Sequence, residues 1–98
     1  MAKTFEFDTN AQKESLISLY GGRRQEVCLN LAANIEFLER RLAVMKNKAL
    51  AGKVAEPDEY VDDLDGELHY VCDKVQDISN NIAEIEKCTA VLGALRQV

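Results

Sequence analysis

Tyr20-Gly21-Gly22-Arg23-Arg24 holds more potential chemistry in five residues than any other part of this sequence. If a helix begins after the glycines, both arginines fall in its first turn, where each cation opposes the helix dipole by roughly 0.3–1 kcal/mol. An anion would relieve that conflict. Free backbone N–H groups, two guanidinium forks and a neighbouring tyrosine ring could together hold a phosphate and stack on a base. The segment lacks the GxxxxGK[ST] spacing of a phosphate loop and the strand that precedes a dinucleotide-binding glycine motif. It would therefore bind a nucleotide without transforming it. The plainer reading makes Gly21-Gly22 a kink and pairs Arg23 and Arg24 with surface acids such as Glu26.

The second candidate is the acidic run from Asp58 to Glu67. It fails as a calcium loop, because with Gly66 as the turn glycine Val61 stands at the first ligand position and Cys72 at the last. Asp65, His69 and Asp73 recur every four residues and share one helical face, where a divalent ion would need further ligands from a second subunit. A solvated face is the simpler reading, and neither a metal nor any other cofactor is expected. Asp62, Asp63 and Asp65 could instead dock on a basic protein surface.

Little suggests catalysis. His69 is the sole histidine, and no recognisable motif places a serine or cysteine beside it. Cys28, Cys72 and Cys88 are odd in number, form no CxxC pair and lie at or beside helical seams, where reduced, unreactive thiols are expected.

These residues must be positioned by helices, since apolar residues recur at alternating steps of three and four. In one arm the series is Cys28, Leu31, Ile35, Leu38, Leu42, Met45 and Ala49. In the other it is Val61, Leu64, Leu68, Val71, Val75, Ile78, Ile82, Ile85, Thr89 and Leu92. Such spacing predicts two coiled-coil-like helices over 23–51 and 57–97, with Gly52 just past the first and Pro57 opening the second. A connection of about five residues makes the pair an antiparallel hairpin.

The second arm is the longer, about 61 Å against 43 Å at 1.5 Å per residue, so a short helix over 10–20 is expected to cover the overhang. Thr9 and Gln12 have capping-box spacing and Gly21-Gly22 would end that helix. This arrangement gathers Tyr20, Arg23, Arg24, Lys87, Thr89 and Arg96 at one end of the hairpin. Residues 1–9 are expected to form an N-terminal arm.

Leu29, Ala33, Phe37 and Val44 make a second apolar stripe on the first arm and require a second partner. Phe5 and Phe7 folding back could supply it, or another copy of the chain. The expected fold is thus a single all-α domain over residues 1–98 that homo-oligomerises into a helical bundle, first as a dimer of hairpins, then as a larger ring.

Composition supports this class and narrows the function. With 98 residues, no tryptophan, one proline and 30% charged residues, the chain suits long amphipathic helices around a marginal core. A net charge of −5 argues against general nucleic-acid binding. Residues 1–7 hold no apolar run of the secretory kind and no stretch is long enough for a membrane span, so a cytoplasmic location is expected.

The leading expectation is a non-enzymatic accessory or regulatory protein that binds a macromolecular partner through its helical faces. The alternative is capture of an anionic small molecule, a nucleotide or cyclic nucleotide, by the YGGRR segment at a subunit interface. In architecture alone, that alternative resembles the small viral hairpin proteins that sequester immune signalling nucleotides.

Overall fold

The computed structural model describes residues 9–59 and 64–98. They form two helices, α1 over Thr9–Val54 and α2 over Leu64–Arg96, folded against each other as a hairpin 89 Å long and 16 Å across. No strand occurs among the described residues. The expected all-α hairpin is therefore present, with boundaries that differ from expectation.

The largest difference is at the glycine pair. A short helix over 10–20 and a separate one over 23–51 were expected; instead α1 runs through Gly21 and Gly22 without a break. Neither glycine has the left-handed backbone that would end a helix. Each costs about 1 kcal/mol relative to alanine in a helix interior, and tertiary contact outweighs that cost. The residues of α1 that face α2 are Lys13, Ile17 and Tyr20 on one side of the pair and Val27, Leu31 and Asn34 on the other. They keep one heptad phase across it, with Arg24 in step. A break would have taken Ile17 and Tyr20 away from Val91, Leu92 and Leu95, which are half-covered near the end of α2. Continuing α1 covers the overhang.

The connection also differs. Gly52 and Lys53 belong to α1, and residues 55–59 form turns, with Ala55 N–H donating to Gly52 C=O at 3.3 Å and Glu59 N–H to Glu56 C=O at 2.9 Å. Pro57 sits in this turn and not at the start of α2. Among the described residues α2 begins at Leu64, with Asp65 and Glu67 in its first turn and Arg96 in its last, both favourable to the helix dipole. At the far end Lys13 Nζ donates to Val98 C=O at 3.0 Å and ties the two helices together. Phe5, Phe7 and the rest of the N-terminal arm expected over residues 1–9, save the backbone of Thr9, lie outside the described residues, as do Asp62 and Asp63.

The seam itself is turned from its expected position. Covered residues of α1 are Val27, Leu31, Asn34, Leu38, Arg41, Met45 and Lys48; those of α2 are Leu64, Glu67, Val71, Lys74, Ile78, Asn81, Ile85, Cys88 and Leu92. Alternate members of each expected series are retained. The others, Cys28, Ile35, Leu42 and Ala49 on α1 and Leu68, Val75, Ile82 and Thr89 on α2, are exposed, and Val61 lies outside the described residues. The physical reason is that polar residues beside the apolar stripe complement one another across the pair. Asn34 Nδ2 donates to Asn81 Oδ1 at 2.7 Å, and Lys48 Nζ donates to Glu67 Oε1 at 3.2 Å. Satisfying these groups draws them into the seam and leaves one edge of the apolar stripe outside it. Val27 and Cys88 are the buried apolar side chains among the described residues.

Candidate functional site

Continuity of α1 removes the helix start on which an anion site at Tyr20–Arg24 depended. The N–H groups after Gly21-Gly22 lie within an unbroken helix. Both arginines reach across to α2: Arg23 Nε pairs with Glu84 Oε1 at 3.3 Å, and Arg24 Nε donates to Thr89 Oγ1 at 2.9 Å. Thr89 Oγ1 donates in turn to Ile85 C=O at 2.8 Å. Glu26, the expected surface partner, is replaced in that role by Glu84. Tyr20 is half-covered in the seam, and Arg96 is exposed at the same end of the hairpin. Lys87, also exposed, stands on the outer side of α2, away from Tyr20.

A denser constellation lies nearer the turn. Arg41 is covered on the seam, and its guanidinium carbon is 4.6 Å from the centre of the Tyr70 ring and 5.6 Å from that of Phe37. Lys74 Nζ stands 4.6 Å from the Phe37 ring while donating to Asn34 Oδ1 at 3.3 Å and pairing with Asp77 at 3.4 Å. Two rings thus meet two cations, an arrangement each contact of which contributes about 0.5–2 kcal/mol according to its desolvation. Phe37, Arg40, Arg41 and Val44 line a shallow hollow beside it.

Beneath this cluster Glu67 is 3% exposed. Its Oε1 accepts from Lys48 at 3.2 Å and from Arg41 at 3.5 Å, whereas Oε2 is buried with no hydrogen-bond partner among the described residues. Two cationic side chains thus share one oxygen of this buried carboxylate, replacing part of the water it loses in the seam.

None of Phe37, Arg41, Glu67, Tyr70 and Lys74 was singled out as a site from the sequence. The signal was present in two forms. Phe37 and Arg41 are four apart, the spacing that brings a ring under a cation on one helix. Glu67, Lys74, Asn81 and Cys88 recur every seven residues, a second phase running beside the apolar one.

The two sides of the hairpin have opposite character. Arg23 meets Glu84, and Phe37 and Tyr70 share Arg41, so these residues lie on one flank of the pair. The opposite flank therefore carries Cys28, Ile35, Leu42 and Ala49 from α1 and Leu68, Val75 and Ile82 from α2. It is apolar and open: Ile35 is 40% exposed, Leu42 45%, Leu68 47%, Val75 49% and Ile82 44%. The stripe expected to need a second partner was Leu29, Ala33, Phe37 and Val44. Of these Leu29 is exposed on the outer side, and Phe37 belongs to the cationic flank.

Asp65, His69 and Asp73 are all exposed, and among the described residues no group of three or more His, Cys, Asp and Glu is placed to hold a metal ion. Turning of the seam also separates the cysteines. Cys88 is fully buried, whereas Cys28 and Cys72 are exposed and lie off the seam. Among the described residues no helix is long and apolar enough to cross a membrane. No protein-family model, curated protein or solved structure matches this chain.

Proposed function

We propose that this chain is a non-enzymatic accessory protein that assembles with itself and acts by binding a macromolecular partner through its helical faces, in a cytoplasm that keeps its three free thiols reduced. One observation carries the reading: the apolar flank of Ile35, Leu42, Leu68, Val75 and Ile82, each between 40% and 49% exposed. Contiguous apolar surface of this kind marks an interaction site in a protein whose own core is this small. Covering a half-exposed Leu, Ile or Val contributes about 1 kcal/mol. Five from each of two copies give about 10 kcal/mol, the scale of the motional freedom lost on association, roughly 4–15 kcal/mol. The assembly is accordingly concentration dependent. The aromatic and cationic flank has the composition of binding hot spots, which favour Tyr and Arg, and supports a macromolecular partner there.

The alternative, capture of an anionic nucleotide at Tyr20, Gly21, Gly22, Arg23 and Arg24, keeps one supporting observation. A Cβ added at Gly21 or Gly93 would meet no atom within 4 Å, and in sequence these glycines stand three residues before Arg24 and four after Thr89, which are hydrogen-bonded to each other.

Sedimentation equilibrium from about 10 µM to 1 mM tests self-assembly, since about 10 kcal/mol of burial less a cost of at least about 4 leaves no more than about 6 kcal/mol, a dissociation constant of tens of micromolar or weaker. Cross-linking in the expressing cell tests the partner. A multimer, with one macromolecule cross-linked reproducibly to helical lysines such as Lys46 or Lys74, is expected. A monomer throughout, with no recurrent cross-link, overturns the reading.

A further inference from the structure

We infer that the apolar flank is covered by a second copy of this chain whose hairpin runs in the same direction, with the two turns at the same end of a four-helix bundle. The inference rests on the self-assembly reading above and goes beyond it by fixing which flank is used and which way the copies lie.

A twofold arrangement can lay this flank on itself in two ways. With the axis along the hairpin, α1 of one copy lies on α2 of the other. With the axis across the hairpin, α1 lies on α1 and α2 on α2, and the turns point apart. The apolar stripe does not distinguish these; the charges at its edges do.

Next to the stripe, α1 carries Glu39, Lys46 and Lys53, and α2 carries Asp65 and Glu86. Asn34 lies level with Asn81 and Lys48 with Glu67. That register puts Asp65 at the height of Leu50, and Glu86 at the height of Leu29.

When the copies run the same way, Asp65 of one enters between Lys46 and Lys53 of the other. Glu86 then faces Gln25 and Ala32, and Glu39 faces Cys72 and Ser79, so no acid meets an acid. When they run oppositely about the middle of the stripe, near residue 39, Glu39 meets its own copy and Asp65 comes level with Glu86, twice by symmetry. Like charges at an interface edge are repulsive and opposite ones select orientation. The charge pattern therefore favours turns together. A consequence is that the two aromatic and cationic flanks face outward on opposite sides, giving the assembly two equivalent surfaces for a partner.

The test places one spin label per chain at Val54→Cys, the exposed last residue of α1, in a chain carrying Cys28→Ser and Cys72→Ser with Cys88 left buried. Helices in a bundle are 8–10 Å apart, so copies running the same way place the labels within about 30 Å. Copies running oppositely separate them by about 45 Å along the axis, at 1.5 Å per residue. A second readout is the sign of one charge change. Asp65→Lys weakens same-direction assembly about three- to tenfold through two lost pairs, and tightens the opposite arrangement by relieving repulsion. Leu42→Glu, on an exposed position, should dissociate the assembly with helicity retained. A short label distance with weakening by Asp65→Lys supports the inference. A long distance, or tightening, overturns it while self-assembly stands; assembly unaffected by Leu42→Glu overturns the flank. A monomer at every concentration overturns the self-assembly reading and this inference together.

Discussion

Replacing Gly21 and Gly22 by alanine should make this protein more stable, an outcome opposite to that of a chain in which the pair ends a helix. Both residues lie inside α1, neither has a left-handed backbone, and a methyl group built on either meets no atom within 4 Å. Neither packing nor backbone opposes the change, so the effect is the difference in helix propensity, about 0.5–1 kcal/mol per site. Because the added methyls touch no shared neighbour, the two should add, to about 1–2 kcal/mol. For a chain of this size 1 kcal/mol moves the thermal midpoint by about 4–8 °C, so the double variant should melt at least about 4 °C higher. Far-ultraviolet circular dichroism measures this, with protein concentration held equal so that the proposed self-assembly would contribute the same to each midpoint. Gly93→Ala, which also opens onto free space, is a control of the same sign. A lowered midpoint for the Gly21-Gly22 double variant with Gly93→Ala stabilising would refute the continuous helix, since only a broken or left-handed backbone at the pair penalises alanine there.

Three further outcomes follow from the seam. Asn81→Leu alone should destabilise by about 1 kcal/mol, because Asn34 loses the acceptor 2.7 Å from its amide, while Asn34→Leu with Asn81→Leu should be neutral or stabilising and loosen the register of the hairpin, as urea titration and hydrogen exchange will report. Arg23→Ala with Arg24→Ala removes two exposed cross-helix contacts and should cost less than about 1 kcal/mol; any nucleotide-dependent rise in melting temperature that survives the double change removes the YGGRR alternative. Alkylation of the native protein should spare Cys88 until the chain unfolds, because its side chain is fully buried, and rapid native modification at that position would refute the placement of α2.

The hairpin, its antiparallel sense and its heptad spacing were legible in the sequence because they depend on local rules: apolar periodicity, and a turn near Gly52 and Pro57. The rotation of the seam was not, and the reason is physical. Reading Ile35, Leu42, Leu68, Val75 and Ile82 as seam residues assumes that a helix buries the centre of its apolar stripe. Here the pair is centred to one side, where Asn34 satisfies Asn81 and Glu67 takes Lys48 and Arg41, contacts between residues 19 to 47 positions apart that no local pattern encodes. The glycine pair misled for the same reason: a helix-ending signal of about 1 kcal/mol per residue was outweighed by contacts with a segment about 70 residues away. Both departures have one consequence. Each helix carries apolar residues at two positions per heptad, and the seam covers one of them, filling the rest of its contact with polar residues such as Asn34 and Lys48 against Asn81 and Glu67. The off-centre seam covers one edge of that stripe within the hairpin, and the edge it leaves open on α1 lies on the same flank as the edge it leaves open on α2. A hairpin that had centred its seam would have finished its core at two helices. This one divides each stripe between a polar, register-setting contact inside the chain and an apolar edge left open, the surface on which the proposed self-assembly rests.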